Sequence, residues 1–299
     1  MTRDSAHGFS SQAEGTSHYS LAGKDCTRFT AVAVDLLSYV YVADAASRSI
    51  LKFSPQLELL GRLKGFELTG SKWPSGITVD HSGTVYVTDS ESHCIYKFLP
   101  IESSFTRWGA HGTGVGQFEH PDGIAVDREG NVYVADSGNY RIQKLSVSGE
   151  PLAQWGKRGT ALGEFDYPMG VAIDAEGNLY ITDMLNHCIQ KLSMSGEPLA
   201  QWGKRGAALG EFDYPMGVAI DAEGNLYVVD WGNNRIQILS ASGEPLAQLT
   251  PQPKIQQVAP DLSGIAISLD KYIHLADNRF NRVQKMTTTG EVLAQWISN

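Results

Sequence analysis

Pro74, Pro121, Pro168 and Pro215 stand 47 residues apart, and each is followed two positions later by a glycine: Gly76, Gly123, Gly170 and Gly217. The glycine series continues at Gly264, and a degenerate copy with Ala31 in that slot precedes it at a spacing of 45. Six units follow, at about 29–73, 74–120, 121–167, 168–214, 215–261 and 262–299. Such a chain must stack copies of one supersecondary motif, because a single copy cannot bury its own apolar faces. Units three and four agree at 34 of 47 positions, including SGEPLAQWGKRG at Ser148–Gly159 and again at Ser195–Gly206. A recent internal duplication explains that identity, so the places where the copies differ carry the functional information.

Within unit three, GIAVD, NVYVAD, RIQKL and PLAQW are short runs rich in Val, Ile, Tyr and Leu, divided by turn residues. DREGN and VSGE read as hairpin turns, with Gly130 and Gly149 supplying positive φ. No stretch has helical periodicity. Each unit is therefore a four-stranded antiparallel meander. Its strands are apolar on both faces (Ile124 and Val126 against Ala125; Tyr133 against Val134), so each sheet must be covered on both sides. Six sheets packed radially satisfy this, and the expected fold is all-β, a six-bladed β-propeller with four antiparallel strands per blade. The alternative, a linear solenoid, needs polar end caps that neither terminus supplies.

The pattern P-x-G-[IV]-A-[VI]-D-x-E-G-N-[VL]-Y-[VI]-x-D-x-x-N-x-R-I-Q-K resembles the NHL repeat. The resemblance runs from residue 29 to the end. It implies six-bladed propellers that serve as protein- or RNA-binding modules or sensor domains and, in related propellers, as lyases and hydrolases. Fold analogy alone does not choose among these. Units two and four depart from the pattern, with Cys94 and Cys188 where units three, five and six have Arg141, Arg235 and Arg282. These read as small, semi-buried replacements for a structural Arg, in non-adjacent blades and so unable to pair. Trp108, Trp155, Trp202 and Trp296 recur in the outermost strand and read as blade packing, with Leu249 in that slot of unit five. Asp127, Asp174 and Asp221, and Asp136, Asp183 and Asp230, read as acceptors for turn hydrogen bonds. DREGN lacks the ligand spacing and terminal Glu of a calcium loop.

The net charge of −9 opposes broad nucleic-acid binding. No apolar run approaches the roughly 20 residues that span a bilayer. Residues 1–28 read as a polar leader without a signal-peptide segment, ahead of a single propeller over 29–299; an excised ectodomain is the alternative. Three cysteines, Cys26, Cys94 and Cys188, fit a reducing, cytoplasmic setting. HYSLA at 18–22 is a candidate extra strand, while unit six carries its own outer strand, GEVLAQW. A monomer is expected.

Strands a to d of each unit run from inside out, so a–b and c–d turns share one face, and b–c loops and d–a connections share the other. The a–b turns hardly vary in the middle units (DREGN, DAEGN, DAEGN), whereas the b–c loops read AASR, SESH, SGNY, MLNH, WGNN and NRFN. A constant framework with diversified loops on one face is the pattern of a binding face. The residue before the proline slot is Trp73, His120, Tyr167, Tyr214 and Asp261, and two further on come Ser75, Asp122, Met169, Met216 and Ser263. These should ring the mouth of the central channel. Candidate ligand-binding residues are Trp73, His93, Tyr140, Tyr167, Met169, Met184, His187, Tyr214, Met216, Trp231, Arg279 and Phe280. Aromatic and sulfur-rich walls suit a small ligand or a protein partner.

His120 and Asp122, two apart in a segment expected to be extended, form a candidate acid/base pair, with Arg158 or Arg279 near a developing anion. Of the eight histidines, only His93, His120 and His187 should face the mouth. A three-His zinc site, which resemblance to an amidating lyase would imply, needs histidines at matched d–a positions, and these are Trp73, His120, Tyr167 and Tyr214. No metal or cofactor is expected. The sequence therefore points to a non-catalytic binding propeller; the alternative is a small-molecule lyase, isomerase or hydrolase using His120 and Asp122 at the same mouth.

Overall fold

The computed structural model describes residues 29–63, 70–99, 104–251 and 261–298. Cys26 and the leader with its HYSLA segment lie outside these. The described residues form six four-stranded antiparallel sheets, each a meander of consecutive strands. Blade 1 is β1 Phe29–Val34, β2 Val40–Asp44, β3 Ser49–Phe53 and β4 Leu59–Arg62. Blade 2 is β5 Pro74–Val79, β6 Val85–Asp89, β7 Cys94–Leu99 and β8 Ser104–Trp108. Blade 3 is β9 Pro121–Val126, β10 Val132–Asp136, β11 Arg141–Leu145 and β12 Pro151–Trp155. Blade 4 is β13 Pro168–Ile173, β14 Leu179–Asp183, β15 Cys188–Leu192 and β16 Pro198–Trp202. Blade 5 is β17 Pro215–Ile220, β18 Leu226–Asp230, β19 Arg235–Leu239 and β20 Pro245–Leu249. Blade 6 is β21 Leu262–Ile267, β22 Tyr272–Asp277, β23 Arg282–Thr287 and β24 Val292–Ile297. The one helical element among the described residues is the 3₁₀ turn Ser137–Asn139.

The second strand of blades 1 to 5 is buried along its whole length, as a sheet covered on both faces requires. The repeated glycine exists because innermost strands nearly touch. A Cβ on Gly76 would meet the Asp122 carbonyl oxygen at 2.2 Å, and one on Gly123 the Met169 carbonyl oxygen at 2.1 Å. Among the described residues the ring closes by packing: β21 lies against β1, the Ser263 hydroxyl donates to the Phe29 carbonyl at 2.8 Å, and Trp296 packs on Phe29 and Phe53.

The repeat signature is structural. The Asp136 carboxylate accepts from the Glu119 N–H (2.7 Å), Arg141 Nε (2.7 Å), Asn139 Nδ2 (2.9 Å) and Gln143 Nε2 (2.9 Å). One buried carboxylate thus ties strand c and the b–c loop to the connection from the preceding blade. Arg141 completes the clamp by donating to the carbonyls of Thr113, Gly114 and Gln117. Asp127 accepts from Asn131 and from the Tyr133 hydroxyl across the a–b turn. Trp155 stacks on Tyr133 at 6.4 Å and presses on Gly196 of the next blade, so the tryptophan slot is blade packing. Cys94 and Cys188 are free thiols and fully buried rather than semi-buried, because the slot itself is interior: Arg141, Arg235 and Arg282 are buried there too.

Candidate functional site

The b–c loops and d–a connections share one face, and the innermost strands of all six blades enclose a cavity of about 100 Å³ at its centre. Asp122, Met169 and Met216 line that cavity with Thr30, Ser75 and Ser263. Burial pushes the Asp122 carboxyl up to about 7, and the Ser137 hydroxyl lies beside it. The part of Asp122 that is not covered faces this narrow channel and not bulk water, so desolvation governs it.

Around the cavity, the junctions between blades 2 and 3, 3 and 4, and 4 and 5 repeat one construction. The residue ending each b–c loop is left-handed without being glycine: His93 (φ 52°), Tyr140 (56°), His187 (53°) and Asn234 (52°). So is the residue before the proline slot: His120 (46°), Tyr167 (67°) and Tyr214 (53°). At the blade 2–3 junction His93 Nδ1 accepts the His120 N–H at 3.1 Å, and the His93 ring meets His120 edge-on and lies tilted against His111, with centroids 4.8 and 4.5 Å apart. His111 Nε2 lies 2.8 Å from Glu119. At the blade 4–5 junction His187 Nδ1 accepts the Tyr214 N–H at 3.1 Å, the two rings pack at a tilt with centroids 4.7 Å apart, and the Arg205 guanidinium lies over Tyr214. At the blade 3–4 junction Arg158 lies over Tyr140 at 5.1 Å. Burial holds His93 and His187 below the ordinary imidazole range; His120 and His111 add to this for His93, against Glu119 and Asp89.

The expectation of an extended His120–Asp122 segment is corrected here. The left-handed turn at His120, repeated at Tyr167 and Tyr214, breaks the strand alternation, so His120 packs in the histidine cluster while Asp122 lines the channel. His111 also belongs to the mouth, contrary to expectation; its slot is that of Arg158 and Arg205, each bridged to a buried phenylalanine. Met184, the first residue of the blade 4 b–c loop, is buried at 3% exposure. Trp231 donates to Asp261 at 2.6 Å and meets Tyr214 edge-on. Trp73 is tied to Asp89 at 3.1 Å. Arg279 is exposed, and Phe280 covers Arg282 in blade 6. Among the described residues no group of three His, Cys, Asp or Glu side chains can hold a metal ion, and no helix is long and apolar enough to cross a membrane.

The NHL-repeat sequence profile matches residues 72–98, 118–145, 165–192 and 212–239, which fall on blades 2 to 5. A search of curated proteins returned no significant match. Among solved structures the chain is similar in fold to a streptogramin B lyase (16% identity, TM-score 0.67, 92% of this chain and 84% of that one). It is also similar to a chain of a nidogen/laminin complex (22%, 0.63, 80% and 85%). A Xanthomonas campestris gluconolactonase has the same architecture (14%, 0.62, 85% and 84%). These likenesses are of fold.

Proposed function

The chain is an NHL-repeat β-propeller, and from that premise we propose that it is a binding module whose b–c/d–a face takes up a small ligand or a protein partner without catalysis. The observation that carries this reading is the set of junctions. The same left-handed backbone presents His93, His111 and His120 at one junction, Tyr140, Arg158 and Tyr167 at the next, and His187, Arg205 and Tyr214 at the third. Constant scaffolding with changing aromatic and cationic side chains is how a recognition surface is varied. Left-handed non-glycine residues concentrated on one face add support, since backbone strain gathers at ligand sites.

Native mass spectrometry of the protein, before and after incubation with a small-molecule extract of its host, tests this reading. A discrete added mass, lost in Tyr167→Ala and Trp231→Ala, is expected for a pocket; a bare mass followed by a partner in a pull-down is expected for an interface. Unchanged binding in Trp73→Ala, His120→Ala and Trp231→Ala would place function on another face.

A second reading is a small-molecule lyase, isomerase or hydrolase. It is favoured by the Asp122 carboxyl, which at about 7 is poised for proton transfer near neutrality. In that reading His120 would reach Asp122 only through a substrate placed between the channel and the histidine cluster. Turnover abolished by Asp122→Asn would select it.

A further inference from the structure

The channel wall is chemically lopsided. At the second position of the innermost strand, blades 6, 1 and 2 carry Ser263, Thr30 and Ser75, blade 3 carries Asp122, and blades 4 and 5 carry Met169 and Met216. All six line the one cavity. Each of the three hydroxyls gives its single proton to the next blade. Thr30 Oγ1 donates to the Pro74 carbonyl at 2.6 Å, Ser75 Oγ to that of Pro121 at 2.8 Å, and Ser263 Oγ to that of Phe29 at 2.8 Å. An aspartate cannot make this bond when ionised. In blade 3 the Ser137 hydroxyl makes it instead, donating to the Pro168 carbonyl at 2.5 Å. The ring of inter-blade bonds thus continues past Asp122 and leaves its carboxylate free of that duty.

The side chains facing the cavity therefore offer lone pairs: three hydroxyl oxygens whose protons are committed, two thioether sulfurs, and one carboxylate when Asp122 is ionised. Such a wall complements a cation and repels an anion. A divalent ion would ask for several carboxylates, and one carboxylate balances a single positive charge.

We propose that the channel mouth is a monovalent-cation site centred on Asp122, taking an alkali ion or the ammonium head of a small organic molecule. This deepens the reading of this face as ligand-binding by specifying which end of a ligand enters the channel.

The test is thermal unfolding of the intact protein at pH 8, titrated with potassium, sodium and methylammonium chlorides. Ionic strength is balanced with tetraethylammonium, whose charge is shielded by four ethyl groups and which has no N–H to donate. Binding to the folded state raises Tm with saturation. The response is expected to need at least tenfold more cation in Asp122→Asn and in Asp122→Ser, the latter giving blade 3 the residue type of blades 2 and 6. A response to alkali ions alone identifies an ion site, and a response to methylammonium identifies an organic ammonium site. Absence of a saturable response to all three, or an equal response in both variants, overturns the proposal. Should a variant not fold, calorimetric titration of the wild type decides: binding must weaken from pH 8 to pH 5 as Asp122 is protonated, and pH-independent binding overturns the site. A host small molecule retained equally by Asp122→Ser would remove the cation site and leave the mouth reading intact.

Discussion

Replacing Asp122 by Asn should stabilise this protein at alkaline pH and leave it nearly unchanged in acid. Burial in the channel pushes the carboxyl from its ordinary 3.8 to about 7. A folded-state pKa above the unfolded one means that the folded protein holds this proton more tightly. Its contribution favours folding below about pH 4, fades as pH rises towards 7, and is a full penalty above that. Such a shift corresponds to a ceiling of about 4 kcal/mol, and contact with water in the channel brings the expected cost to roughly 2 kcal/mol. Asn keeps the shape and cannot ionise. Urea unfolding of both proteins, in buffer free of small cations, should therefore give Asp122→Asn an advantage of roughly 2 kcal/mol at pH 8 and less than about 0.5 kcal/mol at pH 4. Comparing the two proteins cancels every other titrating group. A variant no more stable than wild type at pH 8 would refute the reasoning, because it would mean that fixed protein groups already balance the carboxylate.

Three further predictions concern the scaffold. In blades 1 to 5 a second-strand tyrosine donates to a turn aspartate, as Tyr133 does to Asp127, but blade 6 has His274 and Ser268 in those slots. His274 is fully buried with neither ring nitrogen hydrogen-bonded, and burial, aided by Lys285 against Asp270, holds it down to about 4. A depressed histidine pKa contributes stability above about pH 6.5 that is lost as pH falls towards 4, here about 3 kcal/mol. The pair His274→Tyr and Ser268→Asp should abolish that acid-side loss in denaturation measured from pH 7 to 4. Arg235→Ala strips partners from the buried Asp230 carboxylate and from the carbonyls of Ala207, Ala208 and Glu211, and should cost about 3–5 kcal/mol by urea unfolding. Gly196→Ala sets a Cβ 2.0 Å from Trp155 Nε1 at a φ of +82°; a loss of about 3 kcal/mol with a changed tryptophan near-UV signal is expected.

The architecture was legible because each blade restates it: the proline and glycine of the innermost strand, the turn aspartate and the outer tryptophan all keep register. Register also led to Asp122, Met169 and Met216. It failed for Thr30, whose blade has a spacing of 45 and Ala31 in the glycine slot, so one of the three hydroxyls of the arc was hidden. It failed for His111, which sits in a glycine-rich connection where no strand period applies, although its equivalence to Arg158 and Arg205 is written in the 47-residue spacing. The alternation assumed for His120 and Asp122 broke on a left-handed backbone at His120, which recurs at Tyr167 and Tyr214. The depth of Cys94, Cys188 and Met184 depends on how neighbouring blades close over them, which local pattern does not encode.

Methionine methyl NMR tests the location of binding most directly, because the methionines sample the molecule. Met169 and Met216 line the channel, Met194 is exposed on the β15–β16 turn, and Met286 is buried in blade 6. With [methyl-¹³C]methionine protein titrated with methylammonium chloride or with a molecule retained in native mass spectrometry, Met169 and Met216 should shift with saturation. Met194 and Met286 should stay in place. Saturable shifts at Met194 or Met286 with none at Met169 and Met216 would contradict binding at the mouth of the propeller.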